Sequence, residues 1–154
     1  MRIRPFKTTD NELLIGIFNH NTPKYFAQHE LNEFLSYLQT PHASTYFVVE
    51  ENGRIIGGAG YEIRKSDASG RINWIFLHPE FQNSGIGKEV VKQIILLLKS
   101  DRSINKLIIR TSQFAYVFFE KLGYKTILIE KDHWAPGLDL YLMEQLISDK
   151  ETPL

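Results

Sequence analysis

The chain has 154 residues, which is long enough for one domain with a hydrophobic core and too short for two domains of ordinary size. Its 18 basic and 18 acidic residues balance, so charge gives no reason to expect nucleic acid or an anionic membrane as the partner. The lack of cysteine excludes disulfides, thiolate metal ligands and a cysteine nucleophile, and no apolar run approaches the roughly 18 residues of a membrane span.

The first half of the chain predicts a strand, two helices and three strands. Residues 3–6 are typical of a short strand, and Thr9-Asp10-Asn11-Glu12 has the form of a capping box at the start of a helix. The two helices are predicted to bury Leu13, Leu14, Ile17 and Phe18, and then Leu31, Phe34, Leu35 and Leu38. Asn52-Gly53 is a tight-hairpin signal between strands at 45–50 and 54–63, and a polar loop at 65–70 leads to a strand at 72–77.

In the second half, the glycine pair Gly85 and Gly87 opens an amphipathic helix. The residues that this helix is predicted to bury are Ile86, Val90, Val91, Ile94, Leu97 and Leu98. A strand at 106–110, a helix at 113–122 that ends at Gly123, and strands at 124–130 and 138–143 complete the chain. The order predicts an α+β fold with one parallel crossover, in a single domain at 1–147 followed by a short tail at 148–154.

The glycine pair predicts an anion site built from backbone. The first turn of a helix has N–H groups without intrahelical partners and carries partial positive charge, and glycine removes Cβ atoms that would keep a phosphate away. The segment does not fit a P-loop, because Glu89 follows Gly87-Lys88, or a dinucleotide fingerprint, because Val90 stands at the third small position. A simple strand-to-helix turn is the alternative that needs no ligand.

Three segments of the sequence resemble one family. Gln82-x-x-Gly85-x-Gly87, after a strand that ends in Leu77-x-Pro79, resembles the acyl-CoA pyrophosphate motif of the GNAT superfamily of N-acetyltransferases. The opening at 3–10 and the segment Ala115-Tyr116-Val117-Phe118-Phe119-Glu120-Lys121-Leu122-Gly123-Tyr124 resemble that family's first elements and its later A-x-x-(F/L)-Y-x-K-x-G-(F/Y) motif. The resemblance implies a mixed, mostly antiparallel central sheet of about seven strands, flanked by about four helices.

The resemblance also implies where acetyl-CoA, the co-substrate, binds. The pantetheine arm is expected along the strand edge at Ile75, Phe76 and Leu77. The pyrophosphate is expected at the backbone of Gln82, Asn83, Ser84, Gly85, Ile86, Gly87 and Lys88. Ser112 falls near an asparagine that commonly binds the pantetheine, although a plain helix N-cap is the alternative role. We expect no metal, because the five histidines lack ligand spacing.

The catalytic side chains depart from the family pattern. Phe119 stands where many members carry a tyrosine that protonates the CoA thiolate, so Phe119 can contact the cofactor but cannot donate a proton. Tyr116, one helical turn earlier, is the candidate acid, with packing against the sheet as the alternative. Arg71 and Asn73 occupy the region where relatives carry a base. Glu62 is therefore the candidate base, with an ordinary surface carboxylate as the alternative. It is in phase with Gly58 and Gly60 on its strand, and these small residues are expected to leave room for a ligand beside it.

Asp132, His133 and Trp134 are the candidate acceptor-binding residues. They are predicted to lie in a loop between the last two strands, where a Pro-Gly turn with a packed tryptophan is the alternative. The sequence thus predicts a cytoplasmic N-acetyltransferase that moves an acetyl group directly from acetyl-CoA to a primary amine on a small molecule or peptide. No nucleic acid or membrane partner is expected, and a homodimer is one assembly left open. The second hypothesis is an acyl-CoA-binding regulatory or interaction module without turnover, and the third is a nucleotide-binding protein.

Overall fold

The computed structural model describes residues 1–147, so the predicted tail at 148–154 lies outside the described residues. The strands are β1 (Arg2–Pro5), β2 (Tyr46–Glu51), β3 (Arg54–Arg64), β4 (Ser69–Leu77), β5 (Lys106–Thr111), β6 (Lys125–Ala135) and β7 (Leu138–Leu146). The helices are α1 (Asn11–His20), α2 (Glu30–Leu38), α3 (Ile86–Lys99) and α4 (Tyr116–Glu120). Short 3₁₀ turns at Thr8–Asp10, Pro41–Thr45, Lys65–Asp67 and Pro79–Phe81 join some of them.

The seven strands form one sheet in the order β1-β2-β3-β4-β5-β7-β6. β4 and β5 are parallel neighbours, whereas β1 with β2, β2 with β3, β5 with β7 and β6 with β7 are antiparallel. The predicted α+β fold, with a mostly antiparallel seven-stranded sheet, four helices and one parallel crossover, is confirmed.

Two compact units divide the chain. The N-terminal unit comprises Met1–Gly60 and Asn73–Lys92, and the C-terminal unit comprises Tyr61–Ile72 and the residues from Gln93 onward. The interpretation of residues 1–147 as a single domain stays a prediction.

Aromatic packing forms the core of the N-terminal unit. Phe18 of α1 and Phe34 of α2 are fully buried, and their rings stack 5.5 Å apart. The same cluster contains buried aliphatic and aromatic side chains from both helices and from β2 and β4, namely Leu14, Ile17, Leu38, Tyr46, Val48 and Phe76. Complete burial of one such side chain contributes about 1.5–3 kcal/mol, so this cluster is the main support of the unit. Most of the predicted core of the two helices is confirmed, but Leu13 is exposed because it lies on the outer face of α1.

The start of α1 differs from the prediction. A 3₁₀ turn at Thr8–Asp10 precedes the helix, and the Asp10 carboxylate accepts a hydrogen bond from the Lys7 N–H at 2.8 Å. The same carboxylate binds both terminal nitrogens of Arg4 at 2.9 and 3.0 Å. The predicted capping box from Thr9 to Glu12 is therefore wrong, because Asp10 closes the turn instead. The hydrogen-bonded Arg4 guanidinium holds the pKa of Asp10 below its usual value, since it stabilises the charged carboxylate.

In the C-terminal unit, the parallel pairing of β4 with β5 joins Ser69–Arg71 to Lys106–Ile108. Gly70 lies at this pairing against Leu98 and Ile104, where a Cβ atom would come within 2.8 Å of the Ile104 side chain. Leu97 of α3 is exposed, contrary to the prediction, because only the neighbouring Leu98 faces this packing.

Candidate active site

The turn between β4 and α3 lies entirely in the N-terminal unit. A 3₁₀ turn at Pro79–Phe81 follows β4, and the His78 Nδ1 atom accepts a hydrogen bond from the Glu80 N–H at 3.1 Å. Asn83 and Gly85 then adopt left-handed backbone angles, with φ of 63° and 88°. Alternation of left-handed and right-handed residues turns successive N–H groups toward one side of the chain, which is how backbone forms anion-binding concavities.

The N–H groups of this turn are available to a ligand. Glu89 is the first residue of α3 whose N–H bonds a preceding carbonyl, that of Gly85 at 3.1 Å. Among residues 1–147, no hydrogen bond from the N–H groups of residues 83–88 to a protein acceptor is found. A Cβ atom built on Gly85 would meet nothing within 4 Å, so the space over this turn is open. The turn can therefore hold an anion such as a pyrophosphate through backbone alone.

The Gln82 side chain points into the protein rather than over the open turn. Its Nε2 atom donates to the Asn21 Oδ1 atom at 2.9 Å and to the Leu77 carbonyl at 3.2 Å. Asn21, at the end of α1, is buried, and its Nδ2 atom donates to the Ile17 carbonyl at 2.9 Å and to the Leu77 carbonyl at 3.0 Å. The Gln82 N–H also donates to the Pro79 carbonyl, at 3.3 Å, so the backbone and side-chain donors of Gln82, which the sequence assigned to the pyrophosphate site, all bind protein acceptors.

The end of β4 presents backbone that is partly occupied. The side chains of Phe76 and Leu77 are buried, so they cannot line an open strand edge, whereas Ile75 is half-buried. The Leu77 carbonyl already accepts two hydrogen bonds, which uses the two lone pairs of that oxygen. Of the three residues expected to hold the pantetheine arm, Leu77 therefore has no carbonyl left for it.

β4 contains a backbone irregularity that the sequence did not reveal. Trp74, inside the strand, has φ of 49°, which is rare for a large side chain and local evidence of strain. The buried Tyr46 hydroxyl donates to the Trp74 carbonyl at 2.8 Å. Burial raises the pKa of Tyr46, so this hydroxyl stays a neutral donor and holds the strained residue in place. The Trp74 ring lies 6.1 Å from that of Phe26, in the segment between α1 and α2.

Ser112, Tyr116 and Phe119 lie around α4, in the C-terminal unit. The Ser112 carbonyl accepts hydrogen bonds from the N–H groups of Ala115 and Tyr116 at 3.1 and 3.0 Å, and its hydroxyl accepts one from Phe114 at 3.3 Å. These bonds form a turn, so α4 begins only at Tyr116, and the predicted helix at 113–122 is too long. Ser112 caps that turn, four residues before α4 begins at Tyr116.

The two aromatic candidates of α4 have different surroundings. Phe119 is buried, and its ring meets that of Tyr124 edge-on at 5.9 Å, which is ordinary core packing. Tyr116 is half-buried, and its ring stacks on Tyr141 of β7 at 4.5 Å. Within the described chain, no protein group hydrogen-bonds to the Tyr116 hydroxyl, so that oxygen is available as a donor.

Glu62, the candidate base, is paired with an arginine. Both of its carboxylate oxygens lie within hydrogen-bond distance of the Arg64 guanidinium, at 3.2–3.4 Å. Proton acceptance by Glu62 would therefore require this pair to open or a water to relay the proton. Gly58 and Gly60, in phase with Glu62, are expected from the sequence to leave room for a ligand. That expectation is wrong, because the Tyr46 ring fills the space where their Cβ atoms would stand.

The three candidate acceptor residues lie near the end of β6 rather than in a loop. The pairing of β6 with β7 is irregular between Glu130 and Ala135, so the predicted strand end at residue 130 is too early. The Asp132 carboxylate accepts a hydrogen bond from the Gly137 N–H at 2.7 Å, and the Asp132 N–H donates to the Asp139 carboxylate at 2.9 Å.

The His133 ring connects two charged side chains. Its Nδ1 atom lies 3.1 Å from a carboxylate oxygen of Glu130, and its Nε2 atom lies 3.0 Å from a guanidinium nitrogen of Arg110. Because a guanidinium can only donate, Nε2 must accept, which places the proton of the neutral ring on Nδ1. The Arg110 guanidinium also lies over the Trp134 ring, 5.2 Å from its centroid, and the indole N–H donates to the Thr111 carbonyl at 3.2 Å.

None of the helices in the described part of the chain is both long and apolar enough to cross a membrane. Residues 1–147 also contain no group of three or more His, Asp or Glu side chains arranged to hold a metal ion.

Comparisons with known proteins identify related sequences and folds. A family model described as an acetyltransferase (GNAT) domain matches residues 42–126, which is more than half of the chain. Comparison with curated protein sequences gives no match.

Among solved structures, the ribosomal-protein-alanine N-acetyltransferase from Brucella melitensis is similar with a TM-score of 0.74 and 18% identity, over 95% of this chain and 99% of that one. The spermidine N-acetyltransferase from Vibrio cholerae, solved with CoA and spermine, has a TM-score of 0.74 and 18% identity over 98% of both chains. At these identities the likeness shows a shared fold.

Proposed function

The chain belongs to the GNAT acetyltransferase family, and on that premise we propose that it transfers an acetyl group directly from acetyl-CoA to a primary amine. The family makes it an acetyl-CoA-dependent acyltransferase. The observation that best supports cofactor binding in this chain is the open turn at residues 83–88, whose N–H groups have no acceptor among the described residues.

The cofactor fits this turn for electrostatic reasons. A pyrophosphate is a dianion, and the N-terminus of the 14-residue α3 adds partial positive charge to the unbonded N–H groups. The open space over Gly85 admits phosphate oxygens to the backbone, and Lys88 stands exposed on the first turn of α3. On β4, the proposed contacts of the pantetheine arm are the backbone groups of Ile75, Phe76 and Leu77, apart from the Leu77 carbonyl, which already accepts two hydrogen bonds.

In the reaction, the neutral amine nitrogen forms a bond to the acetyl carbonyl carbon as the bond from that carbon to sulfur breaks. The amine loses one proton, and the thiolate gains one. We propose Glu62, directly or through a water, as the acceptor of the first proton and Tyr116 as the donor of the second. Phe119 supplies an apolar contact and no proton.

The acceptor is proposed as a primary amine on a small molecule or a peptide. The two structural relatives described above are named for acting on spermidine and on an alanine of a ribosomal protein. Asp132, His133 and Trp134 remain the proposed acceptor contacts of this chain. A cytoplasmic location and a homodimer also remain predictions, which cell fractionation and light scattering on the purified protein test.

The direct experiment is a thiol-release assay. The protein is incubated with acetyl-CoA and one amine at a time, including a polyamine, an amino acid and a peptide with an N-terminal alanine. We expect free thiol to appear only with a suitable amine, and mass spectrometry to find that amine acetylated. Binding of acetyl-CoA without thiol release for any amine favours the module without turnover. Displacement of CoA by ATP favours the nucleotide-binding hypothesis.

A further inference from the structure

Asn21 connects two parts of the N-terminal unit that are distant in sequence, α1 and the segment from the end of β4 to Gln82. Its Nδ2 atom bonds the carbonyls of Ile17, in α1, and of Leu77, at the end of β4. Both partners are acceptors only, so the amide nitrogen faces them and Oδ1 faces the Gln82 Nε2 atom at 2.9 Å. Gln82 also bonds the Leu77 carbonyl, so the three residues form a closed network. Every polar atom of the Asn21 side chain is thereby paired, and the side chain is buried.

The backbone of Asn21 extends this network to the segment between α1 and α2. Its carbonyl accepts hydrogen bonds from the N–H groups of Tyr25 at 2.9 Å and Phe26 at 3.2 Å. Phe26 then packs beside Trp74, the strained residue of β4. Asn21 therefore contacts the end of α1, the end of β4, Gln82 before the 83–88 turn, and the segment that follows α1.

We propose that Asn21 is a positioning residue for the cofactor, which acts through Gln82 and Leu77 and contacts no reacting atom. The 83–88 turn binds through N–H groups, so its affinity depends on their direction rather than on side-chain chemistry. Gln82 stands immediately before the left-handed Asn83, so a shift of Gln82 is expected to change the direction of the N–H groups in the 83–88 turn. This inference rests on the proposed function, because it assigns Asn21 to the same acetyl-CoA site.

The test uses two replacements of similar shape that remove the amide groups, Asn21→Leu and Gln82→Met, and the double variant. Asn32→Leu, at an exposed asparagine of α2, is the matched control. Affinity for acetyl-CoA is measured by calorimetry. Affinity for S-acetylpantetheine, which lacks the pyrophosphate, is measured in parallel by competition. Circular dichroism and thermal unfolding verify that each variant is folded.

We expect each single replacement to weaken acetyl-CoA binding about tenfold, the scale of one hydrogen bond, and the double variant to lose much less than a hundredfold because both act on one network. Binding of S-acetylpantetheine should change less than about twofold in all variants. The Asn32→Leu control should bind both ligands like the parent. If Asn21→Leu does not fold, Gln82→Met at the half-buried Gln82 still gives the same comparison.

Two results overturn the positioning role. The first is a folded Gln82→Met or Asn21→Leu variant that binds acetyl-CoA as tightly as the parent. The second is an equal loss of affinity for acetyl-CoA and S-acetylpantetheine, which indicates general loosening of the fold. A parent protein that binds no acetyl-CoA overturns the proposed function itself, and the variants then need not be compared.

Discussion

Substitution of Gly85 separates the backbone cost of a glycine replacement from its effect on the ligand. Gly85 has φ of 88°, and Gly53, in the hairpin between β2 and β3, has φ of 78°. Neither glycine has any atom within 4 Å of where its Cβ would stand. The variants Gly85→Val and Gly53→Val therefore introduce the same side chain into the same kind of conformation, each into open space. Only Gly85 lies in the turn that is proposed to bind pyrophosphate.

General energetics give the size of each effect. A left-handed conformation costs a residue with a Cβ atom about 1–2 kcal/mol, and valine at least that much, so both variants should lose this amount of unfolding free energy. That loss is small enough to leave an ordinary domain folded. At Gly85 alone, the branched side chain should also displace phosphate oxygens from the backbone. A hydrogen bond to a charged group contributes about 1.5–3 kcal/mol, so loss of one such bond should lower the affinity for acetyl-CoA by about 10- to 150-fold.

Urea denaturation measures the first quantity, and isothermal calorimetry with acetyl-CoA measures the second. The expected pattern is a similar loss of stability in both variants and a loss of affinity in Gly85→Val alone. A folded Gly85→Val protein that binds acetyl-CoA like the parent would refute the assignment of the turn. Equal loss of affinity in Gly53→Val would show that the effect comes from destabilisation.

Three further predictions test other parts of the molecule. Tyr116→Phe should lower kcat by about 10²- to 10⁴-fold with little change in acetyl-CoA affinity. An unchanged rate in this variant, together with a faster Phe119→Tyr variant, would show that solvent rather than Tyr116 protonates the CoA thiolate. The pKa of Asp10 in the folded protein lies below its unfolded value of 3.8, so the pairing with Arg4 stabilises the fold above pH 3.8, and this stabilisation is lost as the pH falls through the folded pKa. The Asp10→Asn variant should therefore lose stability less steeply than the parent during acid titration. Identical curves for the two proteins contradict this. Burial raises the pKa of Glu30 above 4.5, so the parent protein loses stability as the pH rises through the pKa of Glu30 in the folded state. The Glu30→Gln variant should therefore be more stable than the parent at about pH 7.5. An equal or lower unfolding free energy of the variant at that pH would contradict this.

Local patterns predicted the elements of this fold well. The Asn52-Gly53 hairpin and the glycine-marked start of α3 are both present, because each depends on residues next to each other in the chain. The predicted helix at 113–122 was too long, since periodicity in sequence does not show that the Ser112 carbonyl bonds two following N–H groups. Short-range hydrogen bonds of this kind compete with helix and shift its start.

Contacts across the sequence were harder to predict. Gln82 and Asn21 are separated by 61 positions, and nothing around either residue indicates the other. The sequence therefore suggested that Gln82 belongs to the ligand site, and could not show that its side chain faces Asn21. The left-handed angle of Trp74 was missed for the same reason, because it depends on the Tyr46 hydroxyl, which comes from another strand. Likewise, the position of Arg110 beside His133 results from β5 and β6, which pair with opposite edges of β7, rather than from sequence spacing.

A binding surface made of main-chain groups leaves side chains free to diverge. At Ser84, Ile86 and Lys88, the proposed contact is the peptide N–H, which every residue except proline carries. Selection can then act on the torsion angles of the turn while the residue types at these positions change, and glycine at position 85 is the main residue type that the conformation requires. For a protein engineer, the same property makes the outward side chains of this turn suitable places to adjust solubility or attach a probe, and proline the one replacement to avoid there.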